Sequence, residues 1–137
     1  GDTGSNTNIS NKISSSGVIA SDTSGVGTAR TGLGGTSYGG DKAIFAYGTG
    51  DTNISNLVSN TGVVSSDVSG VGTARNNVAV TNYGGDLGLF GYGLSGSTNQ
   101  NMTNKVSNQG VVASDTTGVG TARVMPSACG YSLSAKN

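Results

Sequence analysis

Side chains able to do acid-base, nucleophilic or metal chemistry are few: seven aspartates, one cysteine (Cys129), and neither histidine nor glutamate. A serine nucleophile needs a base beside it, and a general acid needs a titratable partner at the reacting group. Every aspartate except Asp2 belongs to a recurring element or loop, so no pair of carboxylates stands apart for glycoside hydrolysis. The residues therefore point to a protein that is not an enzyme and that carries neither cofactor nor metal. The aspartates instead keep company with arginine: Asp22, Asp67 and Asp115 precede Arg30, Arg75 and Arg123 by eight residues each. A guanidinium is a planar fork of donors suited to carbonyls and carboxylates. Three such arginines are expected to tie neighbouring repeats together as scaffold.

The repeat is explicit. Ser-Gly-Val-Gly-Thr-Ala-Arg stands at 24–30 and 69–75 and returns with one substitution at 117–123, so the arginines lie 45 and 48 residues apart. Aligned on them, the repeats run 8–52, 53–100 and 101–137, the last incomplete, within a single repeat domain of 1–137. Tyr38, Tyr83 and Tyr131 follow the arginines by eight residues; the first two lead into GGDKAIFAYG and GGDLGLFGYG, and the third does not. The chain thus holds three copies of most elements and two of this apolar strand.

With 25 glycines among many Ser, Thr and Asn, helix is disfavoured, and short apolar runs bounded by turn residues read as strands. Four strands are expected per repeat: 31–38, 42–47, 54–59 and a fourth starting at Val63, with equivalents in the other copies. In the second, Phe45 and Tyr47 alternate with Ile44 and Ala46, so both faces are apolar, as in a strand packed between layers. The third is half polar and suits an edge. Four short antiparallel strands in about 45 residues is the size of a β-propeller blade, whereas a β-solenoid coil is shorter. Three blades do not close a propeller, so oligomerisation or a longer parent chain is expected to complete it.

The string YGGDKAIFAYG followed by NLVSNTGVVSSD and SGVGTAR resembles kelch-like repeats, and more closely the tandem repeats of phage tail-fibre and other virion structural proteins. Tyr47-Gly48 and Tyr92-Gly93 stand where the kelch pattern has its glycine doublet, and its tryptophan is absent. The resemblance implies a structural or receptor-adhesive module in a virion or another extracellular assembly. Its partners would be copies of itself or other virion proteins. Two other readings stay open: a carbohydrate-binding module whose tyrosines Tyr38, Tyr83 and Tyr131 hold cell-surface glycans, and a filament subunit that polymerises by strand or blade completion.

Other features weigh less. Asn8, Asn53 and Asn101 each open an Asn-x-Ser/Thr sequon, a glycan acceptor in a secreted host protein. Cys129 replaces the threonines Thr36 and Thr81 and reads as a small buried or half-buried thiol. The loops 1–7, 49–52 and 94–100 carry oxygen ligands without the dense acids of a calcium loop. Seven basic residues balance the seven acids singly, which gives no face for nucleic acid. No apolar run approaches the roughly 18 residues that span a bilayer.

Overall fold

The computed structural model describes residues 1–130. It is all-β, with no helix among the described residues, and consists of two three-stranded antiparallel sheets. The first is β1 (Gly34–Tyr38), β2 (Lys42–Ala46) and β3 (Ser55–Val58); the second is β4 (Ala79–Tyr83), β5 (Leu87–Ser95) and β6 (Thr98–Val106), each in the order of the chain. Within β1 and β2, Thr36 faces Ile44 and Tyr38 faces Lys42 across the turn at Gly39-Gly40, whose positive φ angles (60° and 83°) suit glycine.

The expected fourth strand is present as a paired segment and not as a regular ladder. After β3 the chain turns at Asn60-Thr61-Gly62 and returns with isolated bridges Val58 to Val64 and Ser55 to Val68. Between those bridges Ser65 N still donates to the Leu57 carbonyl (2.8 Å), but side chains take the rest: Asn56 Nδ2 donates to the Ser65 carbonyl (3.1 Å), and the Ser65 hydroxyl accepts from Leu57 N (3.0 Å). The same segment in the third copy bridges Val106 to Val112 and Thr103 to Thr116. In the first copy neither expected strand of this hairpin, 9–14 or the segment from Val18, is regular; the two pair only through the isolated bridges Ile13 to Ile19 and Ser10 to Thr23.

Each sheet straddles the boundary of the sequence repeat. β1 and β2 precede Asn53 while β3 follows it, so one sheet draws two strands from one repeat and its third from the next. β5 and β6 are longer than β2 and β3 because the 48-residue spacing adds three residues beyond Tyr92, which continue the pairing past a bulge between Gly91 and Gly93.

The two sheets stack face to face through a core of Tyr38, Ile44, Ala46, Tyr47, Phe90 and Val106, with Val78 and Val80 beside it. The rings of Tyr47 and Phe90 meet edge-on at 5.3 Å. Gly34 permits the approach, since a Cβ there would overlap Val80 and press on Val78 and Phe90. The expectation that β2 is apolar and buried on both sides needs correction. Ile44 and Ala46 face the second sheet and are buried, whereas Phe45 on the other face is 37 % exposed. Tyr47 does not share that face, because its φ of 65° ends the strand and turns the ring into the core. In the second sheet the roles reverse: Phe90 is fully buried against the first sheet, and its neighbour Leu89 is half-buried.

Candidate functional site

The chemically distinctive feature of the fold is the junction between units, built twice from the same residue types. At the first, Arg30 runs from the end of one repeat into the next sheet, where Nε donates to the Tyr47 carbonyl (2.7 Å) and Nη2 to Asn56 Oδ1 (2.6 Å). Its Nη1 turns back to the Thr28 carbonyl at 3.1 Å. Asn56 passes the contact on, donating from Nδ2 to Asp67 Oδ1 (2.8 Å). Asp67 closes the circuit by accepting the hydroxyl of Thr28 (2.7 Å) and its backbone N–H. The second junction repeats this with Arg75, Tyr92, Asn104, Asp115 and Thr73, at 2.8 Å from Nε and 2.7 Å from Nη2.

The sequence suggested that arginine bonds carbonyls or the aspartate eight residues before it. Two carbonyls do take Arg30, but the carboxylate near it is Asp67 of the following repeat, 3.9 Å from Nη1; for Arg75 it is Asp115, at 4.0 Å. Asp22 pairs instead with Asn11, whose Nδ2 lies 2.8 Å from it.

Each tyrosine that ends the apolar strand serves two successive arginines. The Tyr47 carbonyl accepts from Arg30 while its ring carries the Arg75 guanidinium 4.2 Å above the centroid, and Arg123 sits at 4.2 Å over Tyr92. Tyr47 and Tyr92 hold left-handed φ angles of 65° and 59°, a cost of about 1 kcal/mol each that the surrounding contacts sustain. The sequence marks Tyr47 and Tyr92 only as apolar-strand residues that depart from the kelch pattern, and gives no junction role to them, to Asn11, Asn56 and Asn104, or to Thr28, Thr73 and Thr121. The signal was there: the asparagine and the threonine recur at one position in all three aligned copies.

Charge follows the same circuit. The Thr28 hydroxyl, then the Asn56 amide, hold the Asp67 carboxyl below the usual carboxylate range, with the Thr28 N–H and Arg30 adding to them against partial burial. For Asp115 burial pushes upward and is outweighed by the Thr73 hydroxyl and the Asn104 amide, so its carboxyl is lowered too. A carboxyl lowered in the folded state stabilises above its unfolded value of about 3.9, and that contribution disappears as pH falls through the folded value. The urea midpoint is therefore expected to stay level from about pH 7 to about pH 5 and to fall below about pH 4. An Asp67→Asn, Asp115→Asn variant should show a shallower acid decline, and an equally steep one would contradict these roles.

The sequon asparagines form a second contact line. Asn8, Asn53 and Asn101 donate from Nδ2 to the carbonyls of Gly27, Gly72 and Gly120 at 2.6, 2.7 and 2.9 Å. Nδ2 is the atom a glycan would occupy, so in the folded chain it already holds the Gly-Val-Gly loop. Gly25, Gly70 and Gly118 lie against these asparagines so closely that a Cβ would overlap the asparagine side chain and backbone. Gly70→Ala is expected to cost about 1–3 kcal/mol by thermal melt, while Gly40→Ala, with open space at its Cβ, carries only the strain of its φ of 83°.

No known protein family matches the chain, and no curated protein matches it either.

Of the tyrosines considered for glycan contact, Tyr38 is 3 % exposed, with Gly110 against its ring, so it offers no platform to a sugar. Burial, with the Asp41 carboxylate beside it, raises its phenol above the ordinary value. Tyr83 is half-buried, and Tyr131 lies outside the described residues. Cys129 is exposed, which corrects the expectation of a buried or half-buried thiol. The polar loops bind each other: Asp51 accepts from Asn76 Nδ2 (2.6 Å) and from Gly96 N, joining the 49–52 loop to the 94–100 loop of the next unit.

Proposed function

We propose that this chain is a non-enzymatic structural repeat module whose units are kelch-like propeller blades, working in a virion fibre or a comparable extracellular assembly. One observation carries the reading: at the two complete junctions the recurring arginine, asparagine, aspartate and threonine are spent on joining one unit to the next. Arg30 and Arg75, the most chemically capable groups in the chain, are buried in scaffold contacts. Asp67 and Asp115 are engaged in the same circuits, and Asp51 in the loop contact. Face-to-face sheets with glycine at the contact are also the geometry that blades require. The partners are further units of the same kind, from other copies or from neighbouring virion proteins.

Negative-stain images of concentrated protein test the proposal. Rings or rods of stacked units are the expected result. Isolated particles of single-chain size at every concentration would contradict it. The carbohydrate-binding reading keeps only Tyr83 among the described tyrosines, and a glycan array probed with the wild type and Tyr83→Ala separates it, since specific binding lost in the variant would favour that reading.

A further inference from the structure

Three consecutive residues, 47–49, bond alternately to two arginine segments. The Tyr47 carbonyl accepts from Arg30 Nε (2.7 Å), Gly48 N donates to the Arg75 carbonyl (3.0 Å), and Thr49 N donates to the Thr31 carbonyl (2.7 Å). At the same turn the Arg75 guanidinium lies 4.2 Å from the centroid of the Tyr47 ring, which is fully buried and set edge-on against Phe90. One turn therefore meets two junctions: Arg30 holds its carbonyl, and its ring receives Arg75.

Both contacts require one backbone conformation. Tyr47 at φ 65° and Gly48 at φ 130° leave the path of β2, and a Cβ at Gly48 would press on the Thr31 carbonyl and the Arg30 side chain. Side chains of a strand alternate between its faces, so a regular continuation of β2 would put the Tyr47 ring on the Phe45 face, away from Arg75. Among the described residues no hydrogen bond joins Arg30 to Arg75, and their carboxylates are different ones, Asp67 and Asp115. What the two guanidinium groups share is Tyr47. The arrangement recurs one unit on, where the Tyr92 carbonyl takes Arg75 Nε (2.8 Å), Gly93 N donates to the Arg123 carbonyl (3.1 Å) and the Tyr92 ring lies under Arg123.

We infer that the Tyr47 turn couples the two junctions, so that each strengthens the other and successive units order and open together. Coupling between separate sites needs an element with two states whose balance both sites bias. The left-handed Tyr47 turn is that element: Arg30 stabilises it through the carbonyl, and the turn so formed presents the ring on which Arg75 rests. Reciprocity follows, since Arg75 must tighten the hold on Arg30 by the same factor. Tyr47 is thus a positioning residue that relays order along the chain. The coupling operates within one chain, so its test is independent of whether copies associate.

A double-mutant cycle tests it. Lysine replaces each arginine, which keeps the charge and loses the fork. In urea unfolding, the factor by which Arg30→Lys lowers the folding equilibrium constant is expected to be about five-fold smaller in the Arg75→Lys background than in the wild type. Leu57→Ala, which removes packing but no bond of either junction, is expected to lower it by the same factor in both backgrounds. The cycle repeated on Tyr47→Phe should retain the coupling, because ring and carbonyl remain. On Tyr47→Leu the ring is gone, and the two lysine substitutions should become additive. A second measurement needs only single variants: solvent exchange of the Arg75 Nε proton, followed by NMR, should accelerate about five-fold in Arg30→Lys and not in Leu57→Ala. Additive losses in the wild-type cycle, coupling that survives Tyr47→Leu, or Arg75 exchange that responds equally to Arg30→Lys and Leu57→Ala overturns the inference and leaves each junction a separate joint.

Discussion

Arg75→Ala is expected to be the most damaging single truncation of a polar residue, lowering stability by about 3 kcal/mol or more and the melting temperature by about 10 °C. Arg75 is 0 % exposed and donates to the Tyr92 carbonyl, the Thr73 carbonyl and Asn104 Oδ1 while stacking on Tyr47. Removing it takes this donor from three acceptors, the fully buried Asn104 Oδ1 and the half-buried Tyr92 and Thr73 carbonyls, and leaves Asp115 without its nearby cation; the unsatisfied buried group bears most of the cost. The chain supplies its own control. Arg123 has the same sequence context and the same ring beneath it but is exposed, so Arg123→Ala in the monomer should stay within about 0.5 kcal/mol of the wild type. Equal melting temperatures for the two variants would refute the role given to the junction. Arg75→Lys should not restore stability, because an ammonium is a point donor and cannot reach the three acceptors that the guanidinium fork spans.

Phe90→Ala is the second large effect, with an expected loss of about 3–5 kcal/mol. Phe90 is fully buried between the sheets against Tyr47 and Gly34, and its removal opens a void that two hydrogen-bonded sheets cannot easily collapse to fill. Phe45 occupies the equivalent position one unit earlier and faces the open cleft, so Phe45→Ala should cost about 1 kcal/mol or less in the monomer. Denaturant midpoints at low protein concentration measure both. A large loss for Phe45→Ala would mean that the first sheet is covered on that face, contrary to the fold described.

Much of the fold was legible because the chain states each unit more than once. The all-β class follows from glycine, serine and β-branched residues, and strand positions fall within a few residues of the expected ones: 42–47 against Lys42–Ala46, and 54–59 against Ser55–Val58. The fourth strand is not a regular ladder in any copy because Asn11, Asn56 and Asn104 take the opposite carbonyls of Ala20, Ser65 and Ala113 with their side chains, a replacement that alternation of apolar and polar residues does not reveal. Phe45 and Phe90 have the same sequence environment and opposite burial, since exposure here depends on which neighbour exists and not on the local pattern. For the junction, the arginines were visible as recurring donors, yet their partners lie in the following unit. Spacing within a repeat pointed to Asp22 for Arg30, and the stacking chose Asp67. The sequons show the same limit: Asn53 reads as a glycan acceptor by local motif and holds the Gly72 carbonyl through contacts formed only in the folded unit.

The claim that the units exist to be joined is tested most directly by sedimentation equilibrium of the unmodified chain over a wide concentration range. The account predicts a mass that rises with concentration from the 13.4 kDa of one chain in whole multiples of it. A single species of 13.4 kDa at every concentration would contradict it.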